Sequence, residues 1–183
     1  EKDVKVLLIQ PDYPQFLRQW PYNMRRKIIP EPPLGLMYLA SVLLKNDIEV
    51  AIVDSYFLGL TDDKLLQRIK AERPDIVGLS CHTYTFRKAL SLAKKIKRAI
   101  GNIKIVVGGP HITLYPNDAA ECSEIDQIIV GEGEYKLLKF VRQTAAGKTF
   151  SERQISEIGL VKNLDEIPFP ARNLINLNIY PLS

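Results

Sequence analysis

The sequence has few cysteines, no long apolar run and no strong excess of charge of one sign. Its two cysteines, Cys81 and Cys122, lie far apart and form no Cys-x-x-Cys pair. We therefore expect neither a disulfide framework nor a four-cysteine metal site, and a reducing, cytosolic environment fits best. No stretch approaches the ~20 apolar residues that are needed to span a bilayer, and residues 1–3 do not resemble a signal sequence.

The charge balance argues against a dedicated nucleic-acid-binding protein. The 183 residues include 25 basic and 21 acidic residues, with a formal net charge of +4. Nucleic-acid binders instead concentrate basic residues on one surface. With 46% hydrophobic residues, the chain can bury the core of one domain. The first residue is not a methionine, so we expect the chain to have been cut from something longer.

Five short runs of β-branched and apolar residues recur along the chain, with helical periodicity between most of them. This alternation predicts βα units that feed a parallel sheet. Each run is nearly continuous in apolar character, which is typical of strands covered by helices on both faces. The predicted strands are residues 4–9, 48–53, 76–80, 103–107 and 125–130.

Four longer helices and one short one are predicted from the apolar periodicity. They span residues 34–45, 62–72, 85–99 and 134–146, with the short helix at 117–122. Thr61 is the predicted N-cap of the second helix, and Pro74 closes that helix. The basic side of the third helix is interpreted as a solvated surface. The first helix has little polar face, so we expect it to be deeply buried or covered by a partner.

Units of this length with right-handed crossovers favour an α/β fold, Rossmann-like or flavodoxin-like. Its doubly wound, five-stranded parallel sheet has the strand order 2-1-3-4-5. Ligands in such sheets bind over the carboxyl ends of the strands, at the switch between the first and third strands. The loops at this edge are residues 10–33, 81–84, 108–116 and 131–134.

The segment 148–183 departs from the βα pattern of residues 1–147. It includes a candidate extra strand at 159–162, and then Phe169 between two prolines, which oppose regular structure. We interpret residues 148–183 as a linker or arm that leads toward another domain.

The loops at the carboxyl edge lack the motifs of several common ligands of this architecture. The first strand is followed by Gln10-Pro11-Asp12, where a dinucleotide site has Gly-x-Gly-x-x-Gly. Ser80 and Cys81 end the third strand, where a phospho-receiver domain needs an aspartate. No phosphate loop and no hydrolase triad motif occurs. What remains is a set of small residues at the strand ends, which let a flat or bulky ligand approach the backbone.

Taken in order, these segments resemble the N-terminal cobalamin (B12)-binding domain of B12-dependent radical SAM enzymes. The resemblance rests on PPLGLMYLA at 32–40, Asp54 at the end of the second strand, DIVGLS at 75–80, VVGGPH at 106–111 and GEGE at 131–134. The segment LDEIPFPAR at 164–172 is similar to the connector into the next domain of those enzymes. The match covers nearly the whole chain.

The resemblance implies that the corrin is held over the carboxyl ends of the strands. Ser80 would lie near the dimethylbenzimidazole tail, and Gly108 with Gly109 would let that nucleotide tail pass between sheet and helix. The residues assigned to the cofactor follow the strands or begin the first helix: Gln10, Pro11, Asp12, Leu34, Gly35, Ser80, Cys81, His82, Thr83, Gly108, Gly109, Pro110, His111, Gly131, Glu132, Gly133 and Glu134.

The loop after the first strand departs from the wider group of cobalamin-binding domains. Many of them carry Asp-x-His-x-x-Gly there, with the histidine bound to cobalt, whereas this loop contains no histidine. The radical SAM branch commonly lacks that motif. The two histidines, His82 and His111, stand in ligand-side loops; each either offers an imidazole to a metal or bonds locally. His82 is the stronger, though weak, candidate for cobalt, and Cys81 is interpreted as a small buried residue.

In the resembled enzymes a neighbouring domain holds a [4Fe-4S] cluster through Cys-x-x-x-Cys-x-x-Cys and cleaves S-adenosylmethionine. Two distant cysteines cannot hold that cluster. The resemblance therefore implies a fragment that binds cobalamin without completing the reaction, its partner being its own missing radical SAM domain. The rival hypothesis is a degenerate domain of this fold that binds no cofactor and serves as a docking module. Arg18, Arg25, Arg26 and Lys27 either steer an anionic group or belong to a solvated loop.

Overall fold

The computed structural model describes residues 3–13, 31–148, 154–156 and 159–180. The four basic residues at positions 18, 25, 26 and 27 lie outside the described residues, so the two hypotheses about them stay predictions. Within the described ranges, every helix is too short or too polar to cross a membrane.

The strands form one parallel sheet. They are β1 (Lys5–Gln10), β2 (Glu49–Asp54), β3 (Ile76–Ser80), β4 (Lys104–Gly108), β5 (Gln127–Ile128) and β6 (Gln154–Ile155). Their order across the sheet is β2-β1-β3-β4-β5-β6. The predicted order 2-1-3-4-5 is confirmed, and a two-residue strand is added at the edge. The register pairs Gln10 with Asp54 and Ser80 with Gly108, so these residues end neighbouring strands at one edge.

Helices cover both faces of the sheet. They are α1 (Leu34–Lys45), α2 (Asp62–Glu72), α3 (Phe86–Ile100), α4 (Pro110–Leu114), α5 (Pro116–Ala120) and α6 (Glu134–Ala145), with 3-10 turns at Leu164–Glu166, Arg172–Leu174 and Leu177–Ile179. The bounds of the four longer helices agree with the prediction to within one residue. Helix α4 lies in a segment that was predicted to be a loop. It begins with Pro110, which is favourable at a first helical position because the N–H there has no helical partner.

The prediction of an extra strand at 159–162 is wrong, because the added strand is β6. Side chains hold the 159–162 segment in place of a strand ladder. Lys136 Nζ donates to the carbonyl oxygen of Gly159 at 3.3 Å, and the amide of Val161 donates to the Glu132 carboxylate. The segment therefore lies against the loop between β5 and α6.

Alternate residues of β1 point to opposite sides of the sheet. Leu7 and Ile9 belong to the core that α2 and α3 cover, whereas Val6 and Leu8 belong to the core under α1 and α6. All four side chains are at most 1% exposed. Both faces of the sheet are thus buried, as the continuous apolar strands predict.

Helix α2 begins and ends as predicted. The Oγ1 atom of Thr61 accepts a hydrogen bond from the backbone amide of Lys64 at 3.4 Å. At the other end, Arg73 adopts a left-handed conformation with a φ of 50°, and Pro74 follows it. A left-handed residue followed by proline cannot continue a helix.

The basic side of α3 is partly exposed, as expected for a solvated surface, and three of its lysines make ion pairs there. Lys88 and Lys95 each have Nζ 2.6 Å from a carboxylate oxygen of Asp62. Lys97 Nζ lies 2.8 Å from Asp126 Oδ2. These pairs connect α3 to the first turn of α2 and to the residue before β5.

The segment after α6 returns over α1. The amide of Ala171 donates to the carbonyl oxygen of Met37 at 3.1 Å, and Ser41 Oγ donates to the carbonyl oxygen of Pro168 at 3.2 Å. Ala171 is buried in the same core as Met37. The cover over α1 thus comes partly from this chain itself, while the role of 148–183 as a linker to another domain stays a prediction.

Candidate functional site

A cavity of about 500 Å³ opens at the carboxyl edge of the sheet. Leu8, Gly78 and Val106 line it from the sheet, and Leu39 and Leu137 line it from α1 and α6. The cavity therefore lies between the sheet and these two helices, next to the switch between β1 and β3, where this fold binds its ligands.

The structure brings most of the predicted site residues together around this cavity. Those that line it are Gln10, Leu34, Gly35, Ser80, His82, Gly108, Gly109, Pro110, Gly131, Glu132, Gly133 and Glu134. The predicted residues that do not line it are Pro11, Asp12, Cys81, Thr83 and His111. Four separate loops and the start of α1 thus converge on one space, as the parallel topology requires.

Cys81 is a buried thiol next to the cavity. Its side chain is 0% exposed, and burial raises the pKa of the thiol to about 12. The thiol therefore stays protonated near neutral pH, whereas metal ligation requires a thiolate. This agrees with its interpretation as a small buried residue.

His111 packs away from the cavity lining. Its Nε2 atom lies 3.2 Å from Asp118 Oδ2, and its Nδ1 atom lies 3.3 Å from Thr83 Oγ1. Its ring centroid is 4.1 Å from that of Phe86, and the residue is 6% exposed. Both ring nitrogens thus have polar neighbours, although Nε2 makes no hydrogen bond among the described residues.

Gly108 and Gly109 are adjacent but serve different purposes. A Cβ atom on Gly108 would meet the carbonyl oxygen of Ile129 at 3.4 Å, an ordinary contact distance. Gly109 has a φ of 108°, and a Cβ there would lie 2.9 Å from the carbonyl oxygen of Cys81. Gly109 is therefore required by the backbone of the β3 and β4 loops, whereas Gly108 leaves space open in the cavity.

Two polar side chains in the cavity lining have an atom without a hydrogen bond. Gln10 is 5% exposed, and its Nε2 atom has no partner among the described residues. The same holds, within the described part of the chain, for Oε2 of Glu134. A buried amide without a partner costs about 1–3 kcal/mol, so these atoms are favourable positions for a polar ligand.

Two tyrosines that were not among the predicted site residues also line the cavity. The rings of Tyr13 and Tyr84 stack with centroids 5.0 Å apart, and their hydroxyls lie 3.3 Å from each other. His82 stacks on Tyr84 at 5.4 Å. Burial raises the pKa of Tyr13 and lowers the pKa of His82, which favours the neutral form of both. The signal available in the sequence was the presence of aromatic residues in two loops at the predicted edge.

Asp54 is a structural residue at the end of β2. It is 3% exposed, and its Oδ1 atom accepts hydrogen bonds from the amides of Tyr56 and Phe57 at 3.1 and 3.2 Å. Its Oδ2 atom accepts a hydrogen bond from the Tyr180 hydroxyl at 3.0 Å. Burial raises the pKa of Asp54 despite these donors. Asp54 thus connects the tail of the chain to the sheet.

We expect Asp54→Asn to gain stability relative to the wild type as pH rises. Because the folded pKa of Asp54 is raised, wild-type stability from this group is lost between the unfolded value, about 3.9, and the folded pKa. Asparagine keeps the acceptor for the two amides and does not ionise. Urea unfolding of both chains over the acid range measures the difference, and parallel pH profiles would contradict the raised pKa.

The comparisons with known proteins identify relatives of this chain. A family model described as the B12 binding domain matches residues 30–141. An uncharacterized methyltransferase of Pyrococcus horikoshii is 33% identical over 162 residues, which are 81% of this chain and 35% of that protein. An anaerobic magnesium-protoporphyrin IX monomethyl ester cyclase of Rubrivivax gelatinosus is 31% identical over 155 residues, 82% of this chain and 26% of the relative.

Two solved structures share the fold. The cobalamin-dependent S-adenosylmethionine radical enzyme OxsB, with aqua-cobalamin and S-adenosylmethionine bound, superposes with a TM-score of 0.73 and 21% identity, over 92% of this chain and 24% of that chain. The radical S-adenosylmethionine methyltransferase TsrM from Kitasatospora setae gives a TM-score of 0.65 and 21% identity, over 79% of this chain and 26% of that chain.

These matches cover a small share of the relatives but a large share of this chain. It spans 35% of the length of the Pyrococcus relative and 26% of the Rubrivivax relative. The family model, in contrast, covers more than half of this chain and includes α1, four strands and most of α6. The chain therefore belongs to the B12-binding domain family.

Proposed function

We propose that this chain binds cobalamin at the carboxyl edge of its sheet and serves as the cobalamin-binding domain of a B12-dependent radical SAM enzyme of the methyltransferase type. The observation that carries the proposal is the cavity beside the β1–β3 switch, with the amide nitrogen of Gln10 buried there and without a partner among the described residues. Family membership and the relatives named above as methyltransferases support it.

The size of the cavity fits part of cobalamin. Sites for drug-sized ligands measure about 300–1,000 Å³, and this cavity measures about 500 Å³. Cobalamin is larger than a drug-sized ligand, because it combines a corrin macrocycle with a nucleotide tail. We therefore assign the tail to the space between the sheet and α1, and the corrin to the mouth of the cavity.

The chemistry of the lining also fits this cofactor. Leu8 and Val106 offer an apolar floor to an aromatic base, and Gly108 leaves room above the sheet. Gln10 and Glu134 each have a polar atom without a partner among the described residues, and these atoms suit the amide groups around the corrin rim. When bound, cobalamin supplies a cobalt ion that can carry a methyl group. The residues of this chain bind the cofactor, orient it and exclude water from its tail.

The remaining chemistry belongs to another part of the protein. In our proposal, residues 1–147 form the cobalamin-binding domain and residues 148–183 lead to a radical SAM domain, which would hold the [4Fe-4S] cluster, S-adenosylmethionine and most of the substrate. Within the described ranges, no group of three or more His, Cys, Asp or Glu side chains is arranged to hold a metal ion. In our proposal, the cobalt is supplied within the macrocycle of the cofactor.

Titration with hydroxocobalamin tests the proposal. The purified chain is mixed with hydroxocobalamin and desalted, and its visible spectrum and cobalt content are then measured. We expect about one cobalt to be retained per chain, with a corrin absorption band. A colourless chain without cobalt would refute the proposal and favour the docking module.

We expect Gln10→Leu to stabilise the ligand-free chain and to weaken cobalamin binding. The substitution removes a buried amide nitrogen without a partner among the described residues, which is worth about 1 kcal/mol of unfolding free energy. Loss of its hydrogen bond to the ligand lowers the affinity about tenfold, which corresponds to about 1.4 kcal/mol. Urea unfolding and the hydroxocobalamin titration measure the two effects.

The matched control is Gln127→Leu. Gln127 is also buried, but its Nε2 atom donates to the carbonyl oxygen of Ile128 at 3.1 Å. This control should destabilise the chain and leave the cobalamin affinity unchanged. If Gln10→Leu behaves in the same way as the control, Gln10 does not contact the cofactor.

A further inference from the structure

We propose that His82 supplies a nitrogen ligand to the cobalt of the bound cofactor. This inference rests on the proposed function, because it requires cobalamin in the cavity. It goes beyond that function by assigning one axial position of the cobalt to a side chain of this chain. The loop after β3 would then carry out the role for which the loop after β1 has no histidine.

The position of His82 is the first argument. It lies two residues after the end of β3 and lines the cavity together with Ser80 and Gln10. β3 adjoins β1 at the topological switch of the sheet, where the corrin is expected. His82 is half-buried, so its ring is shielded on part of its surface and remains accessible from the cavity.

The ring nitrogens of His82 are the second argument. Among the described residues, the imidazole of His82 has a stacking contact but no hydrogen bond. The Nε2 atom of His111 also has no hydrogen bond among the described residues, although Asp118 Oδ2 lies 3.2 Å away. His111 differs from His82 in position, because it does not line the cavity. A neutral imidazole with an available nitrogen lone pair is a common ligand of transition metals. His82 is thus the histidine that can offer such a lone pair to the cavity.

The third argument is that hydrogen bonds and a stacking contact hold His82 and its loop in place. The backbone amide of His82 donates to Thr85 Oγ1 at 3.0 Å, and this hydroxyl donates back to the carbonyl oxygen of His82 at 3.3 Å. Thr85 is 0% exposed. The ring itself stacks on Tyr84 with an interplanar angle of 12°. The residue is therefore held in place before a ligand arrives, as a metal ligand should be.

Electron paramagnetic resonance of the Co(II) form tests this assignment without any enzymatic activity. The chain is loaded with hydroxocobalamin, desalted and reduced to cob(II)alamin. An axial nitrogen splits each cobalt line into a triplet when it is ¹⁴N and into a doublet when it is ¹⁵N. We expect chain labelled with ¹⁵N only in histidine to show doublets, because the nucleotide base of the cofactor remains ¹⁴N.

The variants identify which histidine is bound. We expect His82→Ala to lose the doublet in labelled chain, and His111→Gln to keep it, since His111 does not line the cavity. Retained cobalt whose lines stay triplets, or show no axial nitrogen, in labelled wild-type chain would overturn the assignment and leave cobalamin binding intact. Chain that retains no cobalt at all would overturn the proposed function, and the assignment with it.

Discussion

Gly109→Ala is expected to reduce the free energy of unfolding by about 3 kcal/mol. Gly109 has a φ of 108° and a ψ of −177°, a backbone region that only glycine readily adopts, and forcing another residue into it costs about 1–3 kcal/mol. The added Cβ would also lie 2.9 Å from the carbonyl oxygen of Cys81. That carbonyl accepts a hydrogen bond from the amide of His111 at 3.0 Å, so the backbone cannot move away cheaply. Urea unfolding of the ligand-free chain measures the loss.

Gly35→Ala is the matched control for this prediction. Gly35 stands in the first turn of α1, and a Cβ there would meet nothing within 4 Å. Alanine is favoured over glycine in helices by up to about 1 kcal/mol, so this variant should be as stable as the wild type or more stable. Equal effects of the two substitutions would contradict the strained backbone at Gly109.

Gly108→Val is expected to fold and to bind cobalamin about 100-fold more weakly. A Cβ at this position makes only an ordinary contact with Ile129, and valine is favourable in a strand. The two added methyl groups would occupy the space between the sheet and the helices in which we propose the nucleotide tail to lie. A 100-fold loss corresponds to about 2.8 kcal/mol. Circular dichroism checks the fold, and the hydroxocobalamin titration gives the affinity.

Val107→Ala is the matched control for Gly108→Val. Val107 precedes Gly108 in β4, but its side chain is buried in the core on the other face of the sheet. The control should therefore lower the stability and leave the affinity unchanged. Unaltered affinity in Gly108→Val would show that the tail does not pass over Gly108, and unfolded Gly108→Val would show that the glycine serves the fold instead.

Much of the fold and part of the site could be predicted because both follow from local patterns. Continuous apolar runs such as β1 and β3 indicated buried parallel strands, and parallel strands place all their carboxyl ends at one edge. The convergence of Gln10, Ser80 and Gly108 on one cavity follows from that topology. Their assignment to the cofactor came from the resemblance and stays a prediction.

The errors arose where contacts distant in sequence override local preference. Helix α4 forms in a segment predicted as a loop, and it follows Gly109, whose backbone packs against Cys81 in the loop after β3. The segment 159–162 is held by Lys136 and Glu132 of the preceding loop and helix and forms no strand. The stacked pair of Tyr13 and Tyr84 was missed because these residues, 71 positions apart in sequence, meet only in the folded chain.

The sequence by itself determined the class of fold, the strand order, the bounds of the four longer helices and the edge of the sheet that carries the cavity. These properties depend on the period of apolar residues and on short-range capping, which are visible within a few residues. The tertiary structure alone decided which of two adjacent glycines serves the backbone and which one opens the cavity, and which of the two histidines lines the cavity. Such properties depend on atoms that approach within about 4 Å across the fold, and no local pattern records which atoms those are.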